Sequence, residues 1–102
     1  MNFGLPPKSM NMILKSLGKW DEIERASIFG SRAMGNFKNG SDVDLALFGS
    51  KITHQTLLGL GTLLNEELPL PYHFDLVHYE SLDNPALKHH IDTAGKLFYV
   101  KD

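Results

Sequence analysis

Residues 30–49 read Gly30-Ser-Arg-Ala-Met-Gly-Asn-Phe-Lys-Asn-Gly-Ser-Asp42-Val-Asp44-Leu-Ala-Leu-Phe-Gly49. The second half alternates: Val43, Leu45 and Leu47 fall on one face, and Asp42, Asp44, Ala46 and Phe48 on the other. That pattern predicts a strand over 42–48. The first half is rich in Gly, Ser and Asn and predicts a loop over 30–40 with one helical turn from Ser31 to Met34. Just upstream, Ala26-Ser-Ile-Phe29 is a short apolar run between charge and Gly30, which suits a buried strand. A strand that ends in Gly-Ser and turns into a helix start presents backbone N–H groups to an anion. Gly30 lets a phosphate approach the backbone, and the Ser31 hydroxyl adds a donor. A Gly-Ser pair alone is more often an ordinary turn.

Working outward, Leu5-Pro6-Pro7 is a stiff opening, and Ser9 is the expected N-cap of a helix over 9–17 that extends toward Trp20. Gly18 is its expected stop. Thr53 caps a helix whose stripe is Leu57, Leu58, Leu60, Leu64 and Leu68, ended by Pro69 and Pro71. Gly59 and Gly61 weaken it by about 1 kcal/mol each relative to Ala, which predicts close packing against a neighbour. A strand follows over 73–79. Asp83 or Asn84 caps a helix from Pro85 to a stop at Gly95, and a final strand spans 97–100. The order is α-β-turn-β-α-β-α-β: an α+β (mixed α/β) domain, a small mixed sheet with helices packed on it.

The chain of 102 residues carries a formal charge of −2, is 42% hydrophobic and has no cysteine. One domain spanning 1–102 is expected, with roughly two-thirds of its unfolded surface buried on folding. Disulfide scaffolds, Cys-ligated zinc, iron–sulfur clusters and thiol nucleophiles are excluded. No apolar run reaches the roughly 18–20 residues that span a bilayer, and MNFGLPPKSM lacks the order of a secretory signal, so a cytoplasmic location is expected. The charge balance argues against strong direct binding to nucleic acid.

The chemistry is concentrated in aspartates. Asp42 and Asp44 sit two apart on a strand and project to one side. Two like charges so placed raise each other's pKa, and a hard divalent cation removes the conflict by taking oxygen ligands from both. Without a ligand, such a pair reads as a solvated strand edge. Asp75 lies inside the apolar strand Phe74-Asp-Leu-Val, where a lone charge is costly unless paired or metal-bound. Beside 42–48, it would join the pair in one acidic cluster facing the phosphate turn. That set describes two-metal phosphoryl or nucleotidyl transfer. The adjacent His89 and His90 point about 100° apart on a helix and do not chelate together. The histidines read as surface or hydrogen-bonded groups, with His73, on the strand face of Asp75, the exception. Phe29, Phe48, Phe74, Phe98 and Tyr99 read as core.

Gly30-Ser31, ten intervening residues and Asp42-x-Asp44 resemble the signature of the polymerase-β-type nucleotidyltransferase superfamily, with Asp75 matching its third carboxylate. The short chain is similar to the minimal nucleotidyltransferases, a branch that includes antitoxins paired with HEPN-domain proteins. The resemblance implies that Gly30 and Ser31 hold the nucleotide's phosphates and that Asp42 and Asp44 bind two Mg²⁺ ions, Mn²⁺ being an alternative. Asp75 would complete one metal site and help deprotonate the acceptor hydroxyl. Arg32 matches an Arg expected at the phosphates or nucleotide. Met34 departs from the second Arg of many minimal members, and Lys38 is a candidate substitute.

The implied activity is transfer of AMP from ATP to a hydroxyl, in the antitoxin branch a tyrosine of the HEPN toxin partner. The alternatives are a non-catalytic subunit that neutralises the partner by contact, and transfer to a small molecule. The latter is disfavoured because such enzymes carry an extra domain for the acceptor.

Overall fold

The structure, a computed structural model, describes residues 2–102. Strands β1 (Arg25–Phe29), β2 (Val43–Phe48), β3 (Phe74–His78) and β4 (Lys96–Val100) form one sheet in the order β3-β2-β1-β4. β1 pairs antiparallel with both β2 and β4, whereas β2 and β3 run parallel. The parallel pair needs a crossover, supplied by helix α3 (His54–Thr62) and the π-helical turn Leu63–Glu67 that continues it. The sheet is thus mixed, as the alternation of strands and helices predicts.

The alternation in β2 sorts the core. Val43, Leu45 and Leu47 join Ile13 and Leu17 of helix α1 (Pro7–Leu17) and Leu60 and Leu64 in the main cluster. On the other face Ala46 and Phe48 meet Phe29 and Ile91 of helix α4 (Pro85–Ala94). Both faces of β2 are therefore covered, and Asp44 shares the α4 side with Ala46 and Phe48.

Several boundaries differ from expectation. α1 begins at Pro7, with Pro6 as N-cap and no side-chain cap. Proline at the first helical position has a suitable φ and lacks only an N–H that would be unpaired anyway, so Ser9 is left inside the helix, where it is buried. The helix stops at Leu17 and does not reach Trp20. β2 begins at Val43, leaving Asp42 just outside it. The Thr53 cap is confirmed as a reciprocal capping box with Thr56, but the expected single helix over 53–68 changes to π geometry at Leu63. Leu58 turns outward at 51% exposure and leaves the leucine stripe. Gly59 packs as expected, since an added Cβ would lie 2.9 Å from Trp20 Cζ2; Gly61 has room. Residues 79–81 form a 3₁₀ turn (Tyr79–Ser81), so β3 ends at His78. Asn84, not Asp83, caps α4, its side chain accepting from the Leu87 N–H.

Candidate active site

At the end of β1 the chain turns into the short helix α2 (Ser31–Met34) through Gly30, with φ 73° and ψ −155°. That conformation is essentially confined to glycine. Space imposes the same choice: a Cβ on Gly30 would lie 2.3 Å from Asp44 Oδ2. The Asp44 carboxylate thus rests against the bare backbone of the turn. The antiparallel register that pairs Phe29 with Asp44 puts it there.

Across the sheet, the parallel register pairs Asp44 with Asp75 and Val43 with Phe74. The two side chains therefore stand side by side on neighbouring strands. Burial, reinforced by the charges of Asp75 and Asp42, raises the Asp44 carboxyl above the ordinary Asp range, and His90 opposes this in part. Asp42 and Asp75 are exposed. Asp75 Oδ1 turns to His73 Nε2 at 3.1 Å. Among the described residues no three acidic or histidine side chains converge into a cluster able to hold a metal ion. Mutual repulsion and solvent exposure account for that spread.

The outer edge of β3 is held by Asn65 of the π-helical turn. Its amide donates to the Phe74 carbonyl at 3.1 Å, and its Oδ1 accepts the Phe74 N–H at 2.7 Å. One side chain thereby pairs both backbone groups of Phe74, on the edge strand next to Asp75.

Arg32 is 2% exposed. Its Nη1 donates to the Phe3 carbonyl at 2.9 Å, and Nε and Nη2 donate to the Ser41 carbonyl at 3.2 and 2.9 Å. Phe37 and Tyr72 cover the guanidinium, each ring centroid 5.0 Å away. Arg32 thus directs its donors at backbone carbonyls and ties the segment before Asp42 to Phe3. Ser31 remains half-buried at the turn, while Met34 and Lys38 are exposed on the loop.

The sequence matches the family model of polymerase beta nucleotidyltransferases over residues 11–102. The chain belongs to that family. No curated protein matches it at a significant level. Among solved structures, this nucleotidyltransferase is similar to a toxin–antitoxin with AMP-PNP, at 24% identity and TM-score 0.75, covering 91% of this chain and 74% of that one. A mutant of the toxin–antitoxin MntA-HpeT with two Asp-to-Glu changes is similar at 21% identity and TM-score 0.72, with the same coverage. A protein of Sulfolobus solfataricus assigned as a nucleotidyltransferase gives 16% identity and TM-score 0.55, covering 89% and 76%. At these identities the likeness establishes the fold.

The nucleotidyltransferase fold thus brings Gly30, Ser31, Asp44 and Asp75 to one end of the sheet, with Asp42 at the mouth of β2. His73 stands beside Asp75, as its strand position suggested. Sequence reasoning missed two contributors. His90 Nε2 accepts the Gly30 N–H at 3.0 Å, and Asn65 holds β3. A signal for His90 existed: Leu87, His90 and Ile91 fall at i, i+3 and i+4 and share a helix face, and that face packs on the sheet.

Proposed function

We propose that this nucleotidyltransferase transfers AMP from ATP to a hydroxyl of a protein partner, a tyrosine of a HEPN-type toxin, and so acts as its antitoxin. The observation that carries the reading is the register that sets Asp75 beside Asp44, whose carboxylate lies against the Gly30 turn. Family membership supports nucleotidyl transfer, and the fold's likeness to toxin–antitoxin proteins supports the partner.

The donor set fits Mg²⁺. Asp42, Asp44 and Asp75 offer only hard oxygen ligands, and the Asp44 carboxyl, raised by burial and then by the charges of Asp75 and Asp42, supports a site that a cation would relieve. Asp42 and Asp75 are surface side chains whose rotamers change at little cost. These three aspartates would hold the ions, and Mg²⁺ would supply Lewis-acid stabilisation of charge on the phosphates. Mn²⁺ has the same ligand preference.

The chain's own groups do the rest. Gly30 and Ser31 seat the phosphates at the turn. Asp75, oriented by His73, takes the proton from the acceptor hydroxyl as its oxygen bonds to the α-phosphorus. The bond from that phosphorus to the bridging oxygen breaks, and pyrophosphate leaves. The aspartates and phosphate turn form one half of a transferase; the acceptor half comes from the partner, in the cytoplasm. The test is pyrophosphate release from ATP with Mg²⁺ and a HEPN-domain protein supplied as the acceptor. ATP left intact with both present would overturn the reading.

A further inference from the structure

We propose that His90 is a positioning residue for the phosphate-binding turn, coupling helix α4 to nucleotide affinity. Its functional half rests on the nucleotidyl-transfer reading above. Two contacts converge on this one side chain: its Nε2 accepts the Gly30 N–H at 3.0 Å, and its ring meets Phe29 edge-on with centroids 6.0 Å apart. Phe29, Gly30 and Asp44 are the last residue of β1, the turn itself and the carboxylate against it.

The hydrogen bond has a specific consequence. Gly30 sits in a conformation with φ 73°, which leaves the orientation of its peptide unconstrained by any side chain of its own. An acceptor from α4 fixes that peptide. It also occupies the Gly30 N–H, so at the phosphate seat Gly30 gives room for close approach while the donors come from the Ser31 hydroxyl and the backbone beyond it. Two neighbouring positions of α4 anchor the side chain: Ile91 is buried against Phe29, Ala46 and Phe48, and Leu87 packs on the same cluster. The histidine therefore reaches the turn from a fixed base, and the interaction spans 60 positions of sequence.

Two substitutions separate the acceptor from the ring. His90→Phe keeps the aromatic body against Phe29 and removes the acceptor. His90→Gln removes the ring and offers an amide oxygen at a similar reach. One hydrogen bond of this kind corresponds to about a three- to tenfold effect. The first readout, hydrogen exchange of the Gly30 amide in the free protein, needs no nucleotide. His90→Phe is expected to speed that exchange about three- to tenfold, and His90→Gln to restore it to within about twofold. The second readout is steady-state transfer from ATP. His90→Phe is expected to raise KM about three- to tenfold with a smaller change in kcat, and His90→Gln to reverse the rise. Unchanged Gly30 exchange in His90→Phe overturns the proposal, as does an equal KM rise in both variants. A wild type that transfers nothing counts against the transferase reading, while amide exchange still decides whether His90 positions the turn.

Discussion

Asp44 on β2 and Asp75 on β3 are direct partners in the parallel ladder. Parallel pairing brings side chains of equal register to one face, so two acids at matching positions confront each other. Burial and that confrontation raise the Asp44 carboxyl. The folded state then holds a proton that the unfolded chain has already lost. This contribution favours folding below the unfolded Asp pKa and is lost as pH rises through the raised folded value. Asp44→Asn is therefore expected to stabilise the metal-free protein at pH 7, on the order of 1 kcal/mol after solvent screening, or about 4–8 °C in Tm. The gain should shrink toward pH 4. Thermal melts across pH check this, and a variant less stable than wild type at pH 7 would contradict it.

Gly30 has no tolerated substitute on two independent grounds, its positive φ and the carboxylate 2.3 Å from where a Cβ would stand. Gly30→Ala is expected to cost about 1–3 kcal/mol and to abolish ATP-dependent transfer by displacing Asp44. Denaturant unfolding with a transfer assay reads both effects. The double variant Gly30→Ala/Asp44→Ala should recover only the share of the loss due to the carboxylate, keep the backbone strain of a positive φ, and remain inactive.

Arg32 lies inside the protein with its donors on the Phe3 and Ser41 carbonyls. Arg32→Ala is expected to destabilise by about 2–4 kcal/mol, because buried carbonyls lose their partners. Arg32→Lys should also cost more than about 1 kcal/mol, since an ammonium cannot reproduce a planar fork. Urea titrations check both. A lysine variant as stable as wild type would return Arg32 to the phosphate-binding role its sequence position suggested.

Much of this was legible in the chain. The alternation of Val43, Leu45 and Leu47 against Asp44, Ala46 and Phe48 correctly divided the two faces of β2, and the spacing of Gly30-Ser31 from Asp42-x-Asp44 pointed to the family. Contacts made across long sequence separation were not legible. A basic residue after Gly-Ser looks like a phosphate ligand until Phe3 and Ser41 are seen to claim it. Asn65 carries no helical or strand signal for holding the edge at Phe74, because the π-helical turn that aims it interrupts the periodicity. The N-terminal boundary shifted because proline at the first helical position competes with a serine cap. Adjacency to His89 masks His90 in the sequence, whereas its shared face with Leu87 and Ile91 decides where it points.

The central claim is that the aspartates of this nucleotidyltransferase transfer AMP to a partner hydroxyl. It is tested most directly by incubating the protein with ATP labelled at the α-phosphate, Mg²⁺ and a HEPN-domain protein as the partner, then following label on that partner. The account predicts label on a tyrosine of the partner with the wild type, and none with Asp42→Ala/Asp44→Ala. Label transferred equally by the double variant, or no label with the wild type, would contradict it.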